Sequence, residues 1–249
     1  RRELKTMNPV FKVDDSPYLV STEWLASNLE NPDIRIVEVG NSNSPEVYAE
    51  EGHIPGAVEW PWKETLWHST DREFATPEAF KLLMEQSGIG DNTTIIFYSN
   101  SVQYNTYALW VCHMRGQNKV KILHGSRNLW IKEKRPLETK PPSIKPECYT
   151  LKNMDNRINR VGRIDVLAGL HKPDRIMLDV RAPEEYYGKR VNPKENDFDH
   201  GAERRGRIPG AIHLFFRELL NEDDTFKTKE ELQQEFLKRG VTPDKEIVT

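Results

Sequence analysis

The chain has 249 residues, with 36 lysines and arginines against 39 aspartates and glutamates, and a net charge of −3 that excludes the one-sided basic footprint of a nucleic-acid-binding protein. Its residues are 37% hydrophobic and 30% charged, enough apolar material for one or two ordinary cores, and no run of roughly 18 apolar residues is present for a membrane span. The opening Arg1-Arg2-Glu3-Leu4-Lys5-Thr6 lacks the apolar centre of a signal peptide. The two cysteines, Cys112 and Cys148, form neither a CxxC pair nor a bridge framework, which suits a reducing cytoplasm.

In chain order, Ser21-Thr22-Glu23-Trp24-Leu25 predicts a capped helix with Trp24, Leu25 and Leu29 on one face. Ile34 to Val39 predicts a short strand that ends near the carboxylate of Glu38, followed by a Gly/Asn/Ser/Pro loop and a brief helix over 46–51. In Ile54-Pro55-Gly56-Ala57 the proline fixes one torsion and the glycine permits a positive one, so the chain reverses sharply. Thr76-Pro77-Glu78 is a helix start with Phe80, Leu83 and Met84 as its buried stripe. Thr93 to Tyr98 is apolar enough for a central parallel strand, and a helix (about 104–115), a strand (119–123) and a helix (126–134) follow. Strands alternating with helices imply a parallel sheet covered on both faces, with sites at the carboxyl ends of strands.

Residues 138–157 carry Pro141, Pro142 and Pro146 with few apolar side chains and read as a linker between a first domain, 1–137, and a second, 158–249. The second repeats the first. Gly52-His53-Ile54-Pro55-Gly56-Ala57-Val58 is echoed by Gly206-Arg207-Ile208-Pro209-Gly210-Ala211-Ile212, with Gly56 and Gly210 standing 154 positions apart. Likewise Ile36-Val37-Glu38-Val39 answers Ile176-Met177-Leu178-Asp179-Val180, and Glu46-Val47-Tyr48 answers Glu184-Glu185-Tyr186. A repeat this long means two whole domains. Between strand and turn the second copy holds 31 residues (Asp179 to Gly210) against 18 in the first (Glu38 to Gly56), a charged insertion over 189–205 whose Arg204 and Arg205, with Arg207, are candidates to attract an anion. Thr228-Lys229-Glu230-Glu231 is a capping box, with Leu232, Phe236 and Leu237 expected as the buried face. Since Gly240 answers Gly88, Thr249 answers Phe97, and the sequence stops before the counterpart of Tyr98 through Pro136. The expectation is an α/β fold of two tandem domains, the second truncated in this sequence, with the polypeptide continuing after Thr249.

Four segments in order resemble the tandem-domain rhodanese family, the thiosulfate/3-mercaptopyruvate sulfurtransferases: GHIPGAVEWPW (52–62), LHGSRNLW (123–130), LDVRAPEEYYG (178–188) and GRIPGAIHL (206–214). LHGSRNLW resembles the family's Gly-Gly-x-x-x-Trp turn, with His124 replacing one glycine. The resemblance implies two rhodanese-like domains, each a parallel β-sheet with helices on both faces, the first catalytically silent. It implies transfer of a sulfane sulfur from thiosulfate to a thiophilic acceptor such as cyanide through a cysteine persulfide; 3-mercaptopyruvate as donor, and a non-catalytic binding or regulatory pair of modules, are the alternatives. The chemistry needs a thiolate of depressed pKa on a loop whose N–H groups point inward. That cysteine is expected on the loop after the fourth strand, which is Ser99 in the first repeat and two positions past Thr249 in the second. Asp179 and Arg181, with Arg207, are expected to support that loop or bind the anionic donor. Glu185 stands where some thiosulfate-using relatives have arginine; Asn41 and Tyr104 are candidates to border the site. Cys112, within a helix, reads as a core thiol, and His53, His124 and His213 lack metal-ligand spacing. The implied partners are a small-molecule sulfur donor, a thiophilic acceptor and, as a further candidate, a thiol reductant protein, with no cofactor, metal, nucleic acid or membrane.

Overall fold

A computed structural model describes residues 16–40, 48, 50–71, 73–152, 160–190 and 204–249. The chain divides into two compact units, residues 1–155 with 223–225, and 156–222 with 226–249. Asn41, most of the expected helix over 46–51, and the middle of the charged insertion lie outside the described residues. No helix among the described residues is long and apolar enough to cross a membrane.

The first unit is built on a parallel five-stranded sheet of order β1-β5-β4-β2-β3, with β1 at Leu19–Val20, β2 at Ile34–Gly40, β3 at Val58–Pro61, β4 at Thr94–Tyr98 and β5 at Val120–Leu123. Alternate residues of one strand enter different cores, because successive side chains leave opposite faces of a sheet. Ile95 and Phe97 join Val37, Val39, Phe80, Met84 and Val111 on one face. Ile96 and Tyr98 join Ile36, Leu25, Leu123 and Trp130 on the other. The helices Pro77–Gln86 and Val102–Met114 therefore cover the first face, and Thr22–Ala26 and Ser126–Lys132 the second. Helix starts follow local chemistry: Ser21 Oγ accepts from Trp24 N at 3.0 Å and Thr76 Oγ1 from Ala79 N at 3.2 Å. The Pro-rich stretch after Leu137 has no helix or strand in its described part, yet it is pinned to this unit. Glu138 exchanges two backbone hydrogen bonds with His53 (2.8 and 2.9 Å), Thr150 N donates to Asp91 Oδ1 at 2.8 Å, and Tyr149 is buried edge-on against Phe80.

The second unit has a parallel sheet of order β7-β6-β8, with β6 at Arg175–Asp179, β7 at Ile212–His213 and β8 at Glu246–Val248. This reproduces the β3-β2-β4 part of the first sheet. Ile176 and Leu178 pack with Leu214 and Val241 on one face, and Met177 with Ala211 and Val248 on the other. Thr228 closes its capping box as expected, donating its N–H to Glu231 Oε2 at 2.9 Å and accepting from Glu231 N at 3.2 Å. One expectation is corrected: in the helix Lys229–Leu237, Phe236 packs against the core but Leu237 is exposed. Leu237 stands five residues after Leu232, and helical residues share a face at spacings of three or four. Both reversing turns form as the sequence requires, with φ of +77° at Gly56 and at Gly210, a conformation that residues bearing a Cβ rarely adopt.

Candidate active site

In the second unit a cleft of about 580 Å³ opens at the carboxyl end of β6; its lining includes Asp179, Arg181, Arg204, Arg205, Arg207 and Thr249. Asp179 ends β6, and Arg181 follows two residues later in the bend before Pro183 starts a helical turn. They form a fork: Arg181 Nε donates to Asp179 Oδ1 at 3.0 Å and Nη2 to Oδ2 at 2.6 Å, while the Arg181 backbone N–H donates to the same Oδ1 at 3.1 Å. Nη2 also donates to Gly206 O at 2.9 Å, tying the strand end to the segment that enters the turn. Burial alone would raise the Asp179 pKa, but the Arg181 hydrogen bonds and charge, with His213, outweigh it and hold the carboxyl below its usual range. The Asp179 side chain chiefly raises that of Arg181 in return. The structure thus brings Asp179, Arg181 and Arg207 to one cleft, with Arg204 and Arg205 exposed on its rim. Such a concentration of guanidinium groups suits an anion carrying several oxygens.

The corresponding place in the first unit is closed. Ser99 follows β4 directly and is fully buried. Its N–H donates to Ser126 Oγ at 3.0 Å, its carbonyl accepts from that same hydroxyl at 2.6 Å, and its own hydroxyl donates to Ser101 O. Asn105 Nδ2 adds a further bond to Ser126 Oγ at 3.0 Å. A thiol placed here inherits the burial: in Ser99→Cys the new side chain is expected to react with iodoacetamide at least about a hundredfold more slowly in the folded protein than after unfolding, as mass spectrometry of the labelled peptide would read. Comparable rates would mean that this pocket opens.

Sequence reading missed the polar core beside Ser99. Glu38, the counterpart of Asp179, is buried and accepts from the Tyr98 hydroxyl, which in turn accepts from Ile54 N at 3.0 Å, so the acid is linked to the reversing turn. The guanidinium of Arg127, also buried, lies 3.9 Å from Glu38 and 3.7 Å from Glu51. No local signal marks Arg127, since a charged residue one position into a helix is ordinarily solvated. Burial raises the Glu38 pKa, and the opposing Tyr98 hydrogen bond and Arg127 charge do not cancel it. A carboxyl whose folded pKa exceeds its unfolded one binds more protons when folded; its contribution is fully present below the unfolded value of 4.5 and declines as pH rises through the folded pKa. The unfolding free energy of Glu38→Gln, measured against the parent by urea titration, should therefore gain relative to it as pH rises above 4.5. A difference that stays flat with pH would sink this reading.

Of the remaining candidates, Tyr104 stacks on Trp62 with ring centroids 6.2 Å apart, which makes it a packing residue of the first unit. Glu185 accepts from Ala182 N at 3.3 Å and serves as a helix cap. Cys112 is buried and its pKa is pushed well up by burial, the opposite of what a nucleophile needs; Cys148 is exposed. Among the described residues no group of three or more His, Cys, Asp or Glu side chains is placed to hold a metal.

Two parallel α/β units built on one repeat, the second bearing an acid–arginine fork in an arginine-lined cleft, define a tandem-domain protein suited to small anionic substrates. The rhodanese-like domain model matches residues 21–133 and 164–249, and the chain belongs to the rhodanese family of sulfurtransferases. It is 36% identical over 234 residues to the sulfur carrier protein TtuD of Thermus thermophilus, covering 92% of this chain and 80% of that protein. It is equally 36% identical over 234 residues to a Mycolicibacterium smegmatis protein carrying a provisional thiosulfate sulfurtransferase name, covering 94% and 82%. Among solved structures it resembles the 3-mercaptopyruvate sulfurtransferase SseA of Escherichia coli, with a TM-score of 0.74, 28% identity and coverage of 93% and 87%.

Proposed function

We propose that this protein moves a sulfane sulfur from thiosulfate to a thiophilic acceptor such as cyanide, through a persulfide on a cysteine of the loop after β8. The observation that carries the reading is the arginine-lined cleft around the Asp179–Arg181 fork, which lies beside Thr249 at the end of that strand. The strand register supports the position of the cysteine. Glu38 pairs with Tyr98 in the first sheet, and Ser99 comes next. Met177 pairs with Val248 in the second, so the same register sets the counterpart of Ser99 two positions past Thr249.

In the first half-reaction the thiolate attacks the outer sulfur of thiosulfate; the S–S bond of the donor breaks and sulfite leaves with its electron pair. In the second the acceptor attacks the outer persulfide sulfur, the S–S bond of the persulfide breaks, and thiocyanate departs as the thiolate is restored. Arg181 and Arg207 bind the donor oxygens, and Asp179 fixes Arg181 so that its orientation is set before the anion arrives. A thiol, free or on a reductant protein, serves as acceptor by the same step, and the cytoplasm supplies such thiols.

One observation favours 3-mercaptopyruvate as the donor instead. The carboxylate of Glu185 is held near the fork by Ala182 N and by Arg190, 3.8 Å away, and a monoanion tolerates a nearby acid better than a dianion. Thiocyanate release by the full-length protein, with each donor in turn, separates the two by the ratio of kcat/KM. Turnover with neither would overturn both and leave a binding module.

A further inference from the structure

Among the described residues no carboxylate pairs with Arg207, yet its guanidinium is held. Its Cζ lies 4.4 Å from the centre of the Tyr186 ring. The same ring is stacked on His213, with centroids 4.4 Å apart and planes 15° from parallel. Two groups this close to one ring centre cannot share a face, so Tyr186 is sandwiched between guanidinium and imidazole. Its hydroxyl is committed as well, donating to Ala211 O at 2.8 Å across the reversing turn. His213 Nε2 lies 2.8 Å from Arg181 O, and since a carbonyl can only accept, that nitrogen carries the proton. Arg181 in turn holds Gly206 O, the residue before Arg207. The contacts close a circuit, Arg181 to Gly206–Arg207, to Tyr186, to His213 and back to Arg181, with both guanidinium groups fixed relative to each other.

The first repeat shows which part of this is scaffold. Tyr48, the counterpart of Tyr186, makes the same hydrogen bond to Ala57 O at 2.6 Å and stacks on His53 at 4.0 Å and 8°. His53 occupies the position of Arg207, so in both repeats the tyrosine pins the turn and carries the residue two before the proline on its ring. In the first unit that residue is a fully buried imidazole; in the second it is an exposed cation lining the cleft.

We infer that Tyr186 is a positioning residue that holds the Arg207 guanidinium over its ring, paired with Arg181, for capture of the anionic sulfur donor. The inference rests on the sulfurtransferase reading for the identity of that donor, but its geometry does not depend on turnover.

The test measures thiosulfate binding by calorimetry and donor KM and kcat by thiocyanate release, on the full-length protein and its variants. Tyr186→Leu removes the ring and is expected to raise the thiosulfate Kd and the donor KM about fivefold, the factor a cation–π contact of about 1 kcal/mol carries, with kcat unchanged. Tyr186→Phe keeps the ring and is expected to stay close to wild type in both. Tyr186→Leu in the Arg207→Ala background should add little, because without the guanidinium the ring has nothing to position. Equal losses in the Phe and Leu variants, additive losses in the double variant, or absence of thiosulfate binding to the wild type would overturn the inference. Weakened binding in Tyr186→Leu alongside a wild type that turns over neither donor would instead sustain the positioning role and defeat the catalytic reading.

Discussion

Replacing Asp179 by alanine in the full-length protein is expected to lower kcat/KM for the sulfur donor about a hundredfold, the scale on which a misplaced binding group costs turnover. Asp179 accepts three hydrogen bonds from Arg181, two from the side chain and one from the backbone. Without them the guanidinium keeps, among the described residues, the hydrogen bond to Gly206 O and loses its fixed direction. The stability cost should be smaller, about 1–2 kcal/mol: the Asp179 side chain is only 10% exposed, but that of Arg181 is 38% exposed and regains water as a partner. Asp179→Asn keeps one acceptor and should fall in between. Steady-state kinetics with a urea melt of each variant reads both quantities. An alanine variant with parental kcat/KM would remove the fork from the donor site.

The largest stability effect is expected in the other unit, at Trp130. Trp130→Ala should cost about 4 kcal/mol, as deletion of a fully buried large aromatic typically does. Trp130 has no exposed surface, packs with Leu25, Ile96 and Leu123, and donates Nε1–H to Pro136 O at 2.8 Å. The turn that delivers it is equally demanding. Gly125 has φ of +80°, and a Cβ there would sit 2.4 Å from Leu129 Cδ2. Denaturant unfolding followed by circular dichroism measures the loss; a shift below about 1 kcal/mol would mean that this face of the sheet is held otherwise.

Much of the fold was legible because it is written in short-range chemistry. A threonine before Pro77 and another at Thr228 mark helix starts, since the hydroxyl meets an N–H three residues on, whatever lies around it. The paired turns at Gly56 and Gly210 were legible because a positive φ selects glycine. Duplication then carried each local reading across to the other half. Leu237 departs for a local reason too: five residues after Leu232 and next to Phe236, it stands off the buried face of the helix, and hydrophobicity alone does not turn it inward.

The sequence by itself determined that two copies of one α/β unit exist, where their strands and turns fall, which family they resemble, and that Asp179 and Arg181 stand together at one strand end. Only the tertiary structure decided that Arg127 is buried beside Glu38, that the Pro-rich stretch is pinned along the first unit, that Ser99 is sealed in, and that Arg207 rests on Tyr186. The physical reason is distance along the chain. Caps and turns join residues three or four apart, so the pattern carries them. Glu38 meets Arg127 across 89 positions, and Arg207 meets Tyr186 across 21, only once the strands have found their register.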